Sequence, residues 1–198
     1  MKIVSVNAAP IGALFATAPQ GGRQVASAIH KQPLHGQVAV GRLGLEGDAQ
    51  ADRRLHGGPD KAVYAYPLEH YAFWQEQRRL SGKGDMPLTY GALGENLTLQ
   101  GLLEDACWPG DQLAVGTLLL EVTEVRTPCF KLNVKMGLSR AASLMDQSGF
   151  TGFYLRVLQA GTVAAGDAVQ LLPGPRLRLR SIAQINEGRR TARQPDLF

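Results

Sequence analysis

A chain of 198 residues, 44% hydrophobic and 19% charged, can bury one substantial core and is short for two full domains. Two cysteines in unlike surroundings exclude a disulfide framework, and no apolar run reaches the roughly 20 residues that span a bilayer. The formal charge of +4 suits an anionic small molecule, a nucleic acid or plain solubility, so it decides nothing alone.

The 23 glycines and 11 prolines are spread along the chain, which predicts many short elements joined by tight turns, a mostly β fold with a few short helices. Residues 2–7 predict a first strand. The apolar start is broken by Asn7, Pro10 and Gly12 and carries only Lys2 as a basic head, so it does not read as a secretion signal and a cytoplasmic protein is expected. Residues 24–30 and 38–40 predict strands on either side of a turn at 33–36. A strand over 62–66 runs into a helix over 67–80, with Pro67 at its first position and Leu68, Tyr71, Trp74 and Arg78 at spacings of three and four. After a polar loop at 81–94, strands are expected over 96–100, 112–115 and 118–125, the last two joined at Gly116-Thr117. One or two short helices fall between 130 and 147, then strands over 152–158 and 168–172, then an alternating Arg-Leu run over 176–182. The Gly-Asp pairs at 47–48, 110–111 and 166–167 read as turn chemistry, because glycine supplies positive φ and aspartate bonds nearby amides. The organisation expected is one domain over 1–180 and a short basic tail over 181–198.

The most informative stretch is Val125-Arg126-Thr127-Pro128-Cys129-Phe130-Lys131-Leu132. Pro128 pushes Thr127 toward extended geometry and ends the apolar strand, so the cysteine is presented just past the strand's end. A guanidinium close to a thiol favours the thiolate, the form that attacks electrophiles or binds a soft metal. The alternative for any lone cysteine is a small buried hydrophobe. Cys107, in Ala106-Cys107-Trp108-Pro109, takes that second reading. A second cluster, Arg53-Arg54-Leu55-His56-Gly57-Gly58-Pro59-Asp60-Lys61, suits either an anion-binding loop or a surface turn with solvated charges. Gly94-Glu95-Asn96-Leu97 places an amide at the start of a strand, where a turn or a ligand would use it.

Together with Leu45-Glu46-Gly47-Asp48 and Tyr66-Pro67 followed by Glu69-His70-Tyr71, these segments occur in an order that resembles the MOSC family. The family is named for the C-terminal domain of molybdenum cofactor sulfurase, and the similarity is greatest to its bacterial YiiM-like branch. It runs from about Ile3 to about Leu172. The resemblance implies a single-domain MOSC-type β-barrel that binds the molybdenum cofactor, molybdopterin, with Cys129 as both metal ligand and catalytic residue. By the same match Arg126 and Thr127 lie near the pterin or its phosphate, and His56, Asp60, Lys61 and Asn96 line the same pocket. The YiiM-like branch is associated with reduction of N-hydroxylated compounds, including hydroxylamino purines, which makes a small molecule the expected substrate. That branch often carries an added C-terminal helical region, in place of which this chain has only the residues after 180.

No G-x-G-x-x-G fingerprint and no cysteine cluster is present to bring electrons, so a separate electron-donor protein is expected. Two other chemistries remain open on sequence. Cys129 could carry a persulfide in a sulfur-carrier or cofactor-handling protein, or Cys129, His56 and Asn96 could form a nucleophilic hydrolase. A nucleic-acid partner would rest only on Arg176, Arg178, Arg180, Arg189, Arg190 and Arg193, a pattern more often found as the solvated face of an edge strand, so neither nucleic acid nor membrane is expected.

Overall fold

Short apolar runs punctuated by glycine fold here into thirteen strands and four α-helices, in a computed structural model that describes residues 1–16, 23–51, 57–175 and 180–193. The strands are β1 (Lys2–Ala8), β2 (Gly12–Ala16), β3 (Arg23–Ser27), β4 (Gln32–Leu34), β5 (Val38–Gly41), β6 (Gly44–Leu45), β7 (Val63–Pro67), β8 (Leu97–Gln100), β9 (Gln112–Val115), β10 (Leu118–Val125), β11 (Phe153–Gln159), β12 (Gly161–Val163) and β13 (Gln170–Leu172). The helices are α1 (Tyr71–Leu80), α2 (Phe130–Met136), α3 (Ala141–Ser148) and α4 (Ile182–Arg193). None of the described helices is long and apolar enough to cross a membrane.

Eight strands form one sheet in the order β13-β9-β10-β11-β7-β8-β1-β4. All neighbours are antiparallel except β7 and β8, whose parallel pairing needs the crossover that α1 and the following loop supply. The sheet curls into a half-barrel, the MOSC-type barrel class expected from sequence. Two register breaks between β10 and β11, at Leu119/Leu120 and Val122/Glu124, add the local bend. Beyond β12 the chain returns to β1: Ile3 N donates to Asp167 O at 2.9 Å and Gly166 N to Ile3 O at 2.8 Å, drawing the ends of the sheet together. A β12-β5-β6 sheet and the β2-β3 hairpin complete the strands.

Strand β7 is buried along its whole length, because each face covers a different core. Val63 and Ala65 point into the barrel with Phe153, Leu155 and Leu120, whereas Tyr64 and Tyr66 face a helical layer with Trp74, Leu132 and Met145. Trp74 is fully buried and its indole N–H bonds Tyr66 Oη at 2.6 Å. Burying a side chain of that size is worth about 3 kcal/mol.

Two expectations differ. Pro33 lies in an edge strand and not in a turn, opposite Asn7 of β1, a position where a missing N–H costs no central ladder bond; the positive φ that turns the chain falls at Gly36. Most of the Arg-Leu run, 176–179, lies outside the described residues, and its last residue, Ile182, opens α4. The basic segment after 180 is largely helix, with Ile182 buried in the barrel core.

Candidate functional site

The site is assembled at the end of β10. Along that strand Leu118, Leu120 and Val122 point inward, and the bulge after Val122 shifts the phase so that Val125 returns to the barrel core. The next side chain, Arg126, therefore turns to the helical layer. It is buried there, with Nη1 donating to Tyr64 Oη at 2.9 Å and to the Leu93 carbonyl at 2.8 Å, and its guanidinium lies 4.6 Å from the centre of the Tyr64 ring. Tyr64 Oη in turn donates to Thr151 O at 2.7 Å. Pro128 stops the ladder, and Cys129, extended at φ −137° and ψ 175°, becomes the N-cap of α2. Its thiol is half-buried and lies within electrostatic reach of Arg126 and Tyr154.

The facing wall comes from segments far away in sequence. Lys31, immediately before β4, is 7% exposed and ion-pairs through Nζ with Asp48 Oδ1. Burial outweighs the attraction of Asp48 and holds the Lys31 ammonium below the usual lysine range. Asp48 is fixed further by Ala9 N at 3.0 Å and by Asn96 Nδ2 at 2.9 Å. Asn96 is a clip: Nδ2 also donates to Asn7 O at 3.2 Å, and Oδ1 accepts from Tyr64 N at 3.0 Å. Both amide donor hydrogens are thus occupied by protein, so Asn96 positions Asp48 and is not available to orient a catalytic imidazole. Beside it, the carboxylate of Glu95 is fully buried and accepts from Tyr71 Oη, Gly91 N, Leu93 N and Thr98 Oγ1, which fixes the turn that carries Asn96.

Cys129 and Arg126 share one cleft with Thr127, Lys31, Asp48, Lys61, Asn96, Lys131, Tyr64 and Tyr154. Among the described residues, four basic side chains, Lys31, Lys61, Arg126 and Lys131, face one carboxylate, Asp48, across it. Lys61 Nζ stands 3.6 Å from Glu124 Oε1 and 5.8 Å from the centre of the Tyr154 ring. Burial, partly opposed by Arg126, raises the Tyr154 phenol, and its hydroxyl makes no hydrogen bond among the described residues. Thr127 is exposed at the rim, where its Oγ1 accepts from Arg189 of α4.

Of the residues singled out from sequence, Cys129, Arg126, Thr127, Lys61 and Asn96 come together in this cleft. Asp60 does not: it is exposed, with its carboxylate on Arg156 Nη2 at 3.1 Å and away from the cleft lining. His56 lies outside the described residues. In the expected anion loop, the Gly58 amide is already occupied by Gln50 Oε1 at 2.8 Å. A Cβ on Gly57 would meet that Gln50 oxygen at 2.4 Å, so the glycine is what lets Gln50 hold the turn. Sequence reading missed Lys31, Tyr64 and Tyr154, and it gave Asp48 a turn role and a place in the family motif but no role in the site. The one available signal was Asp48 beside the Leu45-Glu46-Gly47 motif.

The MOSC domain family model matches residues 52–170, and the chain belongs to this family. The crystal structure of YiiM from Geobacillus stearothermophilus superposes with a TM-score of 0.75 and 36% identity, over 98% of this chain and 86% of that one. Protein YiiM of Escherichia coli is 38% identical over 146 residues, 74% of this chain and 64% of that protein. A protein of Gibberella moniliformis named "Reductase" is 36% identical over 155 residues, 78% of this chain and 27% of its own length. The chain thus spans less than two thirds of either of these last two relatives.

Proposed function

We propose that this MOSC domain binds a molybdenum–pterin cofactor in the Cys129 cleft and reduces N-hydroxylated small molecules, with electrons delivered by a separate donor protein. The observation that carries the reading is the donor set: one half-buried thiol shares a cleft with four basic side chains. A thiol is a soft ligand suited to molybdenum, and the cations suit a phosphorylated, anionic cofactor. The residues present therefore fit the group. Cys129 would hold the metal, and Arg126, Lys31, Lys61 and Lys131 would hold or neutralise the anionic part. The reductase name of the fungal relative supports redox chemistry of this kind.

Converting N–OH to N–H consumes two electrons and two protons and releases water. When bound, molybdenum supplies the two-electron exchange, because it moves between oxidation states. The chain supplies the remainder. Lys31 Nζ, held on Asp48, and the Tyr154 hydroxyl are two of the proton-bearing groups that line the cleft. Arg126, with two hydrogen bonds at Nη1, stays a fixed cation beneath the reacting region.

The test is reduction of a hydroxylamino purine with an artificial electron donor, using protein from a host that makes the cofactor. Cys129→Ser replaces the soft thiol by a hard hydroxyl of nearly equal size, so activity should disappear while folding persists. Cys107→Ser should retain activity, because that thiol is buried and burial pushes its ionisation far up. Full activity in Cys129→Ser would reject the mechanism, and sulfane sulfur on Cys129 of a molybdenum-free, inactive protein would favour a sulfur carrier instead.

A further inference from the structure

A second cavity lies between α4 and the turn at residues 148–150, and its most unusual member is Asn186. This side chain is 3% exposed, yet neither Oδ1 nor Nδ2 has a hydrogen-bond partner among the described residues. It is not sealed from solvent either: among the described residues, the only such unpartnered and inaccessible side-chain atom is Arg156 Nε. The amide therefore opens onto the cavity. Buried amides seldom stay unpaired, since losing water without replacement costs free energy. Gly149 lines the cavity beside this amide: a Cβ there would make an ordinary contact, 3.8 Å from Asn186 Nδ2, although the backbone at φ +77° is one that side chains rarely adopt.

Carboxylates outnumber cations around the amide, with Glu104, Asp105 and Glu187 against Arg190, which keeps its charge while bonded to a carbonyl. Asp105 and Glu187 line the same cavity, and neither has an ion-pair partner among the described residues. Glu104 is occupied, accepting from His70 Nε2 at 2.8 Å and Gly152 N at 2.7 Å. Arg190, the cation at this wall, directs Nη1 to the Gln147 carbonyl at 2.6 Å. His70 and Phe150 stack at 3.9 Å and 12°, which gives the cavity a flat wall. Two carboxylates without an ion-pair partner and an unpaired amide thus stand beside a planar aromatic surface, with Arg190 anchored at one side. No group of three His, Cys, Asp or Glu suited to a metal ion occurs among the described residues.

We infer that this cavity is a second binding site, separate from the Cys129 cleft, for a small organic cation carrying N–H donors, with a guanidinium as the best fit. A guanidinium is planar and donor-only, so it pairs with Asp105 and Glu187, donates to Asn186 Oδ1 and lies against the flat wall. The inference does not depend on the molybdenum reading, and its test needs no cofactor.

The probe is agmatine, titrated into the isotope-labelled 198-residue chain, with the Asn186 side-chain amide and the Gly149 backbone amide followed by NMR. Saturable shifts at both are expected. They should weaken about tenfold or more in Asp105→Asn/Glu187→Gln, two exposed positions whose change leaves the core intact. Asn186→Leu should weaken binding similarly while the protein still unfolds cooperatively. No saturable shift, or shifts equally strong in all variants, would overturn the site. So would a stronger response to adenosine monophosphate that disappears in Arg190→Ala, which would make this an anion site.

Discussion

Lys31 shows how burial and function compete in one side chain. It faces Asp48, with Glu95, Arg126 and Lys135 also within electrostatic reach, and burial is the largest influence, lowering its proton affinity in the folded state. A lysine held below its usual range releases its proton on folding over the interval between its folded value and about 10.4, so within that interval the unfolded chain binds more protons. Stability contributed by Lys31 must then rise, not fall, as pH climbs through the folded value toward about 10.4. Denaturant unfolding of wild type and Lys31→Met near neutral pH and near pH ~10 checks this. The difference should move in favour of wild type at the higher pH, and a difference that stays constant or reverses would contradict the account. At this scale the sequence was legible where chemistry and chain geometry coincide: Pro128 beside Cys129, with Arg126 just before, announces an exposed-end thiol among cations. Lys31 and Tyr154 were not legible, because a lone lysine before Gln32 and a tyrosine on an apolar strand acquire meaning only once β4, β7 and β11 meet. Asp48 does turn work too, its N–H bonding Leu45 O at 3.1 Å, which hid its second role.

Helix α4 shows how an element can be missed despite a local signal. Ser181 Oγ accepts from Gln184 N at 3.3 Å while Gln184 Oε1 accepts from Ser181 N at 2.9 Å, a reciprocal capping box readable as S-x-x-Q. Ile182 N and Ala183 N then donate to Cys107 O and Glu104 O at 2.9 and 3.0 Å, so the first turn is tied to the loop that carries Cys107. The abundance of arginine drew attention to charge and away from this start signal. If the segment were a solvated tail, Ile182→Ala would change stability by less than about 0.5 kcal/mol. Because Ile182 is fully buried in the barrel core, the expected loss is about 2–5 kcal/mol in equilibrium denaturant unfolding, and a value near zero would show that α4 does not dock. Strands β9 and β10 were legible to the residue and β5, β7 and β8 to within one, whereas β6 and β12 were not, since strands of two and three residues give too little alternation to stand out.

For the whole molecule, the curl of one eight-stranded sheet brings the end of β10 against segments nearly a hundred residues earlier in the chain. Lys31 and Asp48 reach Cys129 only through this curvature, and the bulge in β10 turns Arg126 into the same space. The architecture accordingly places a thiol and four cations around one cleft, with α4 touching its rim through Arg189 and Thr127. The central claim is that this cleft holds molybdenum through Cys129. Its most direct test is molybdenum and pterin content, measured side by side in wild type and Cys129→Ser purified from a cofactor-producing host. Wild type should carry both, near one per chain, and Cys129→Ser should lose the metal while keeping its fold; a wild type with neither, or a variant that retains full molybdenum, would contradict it.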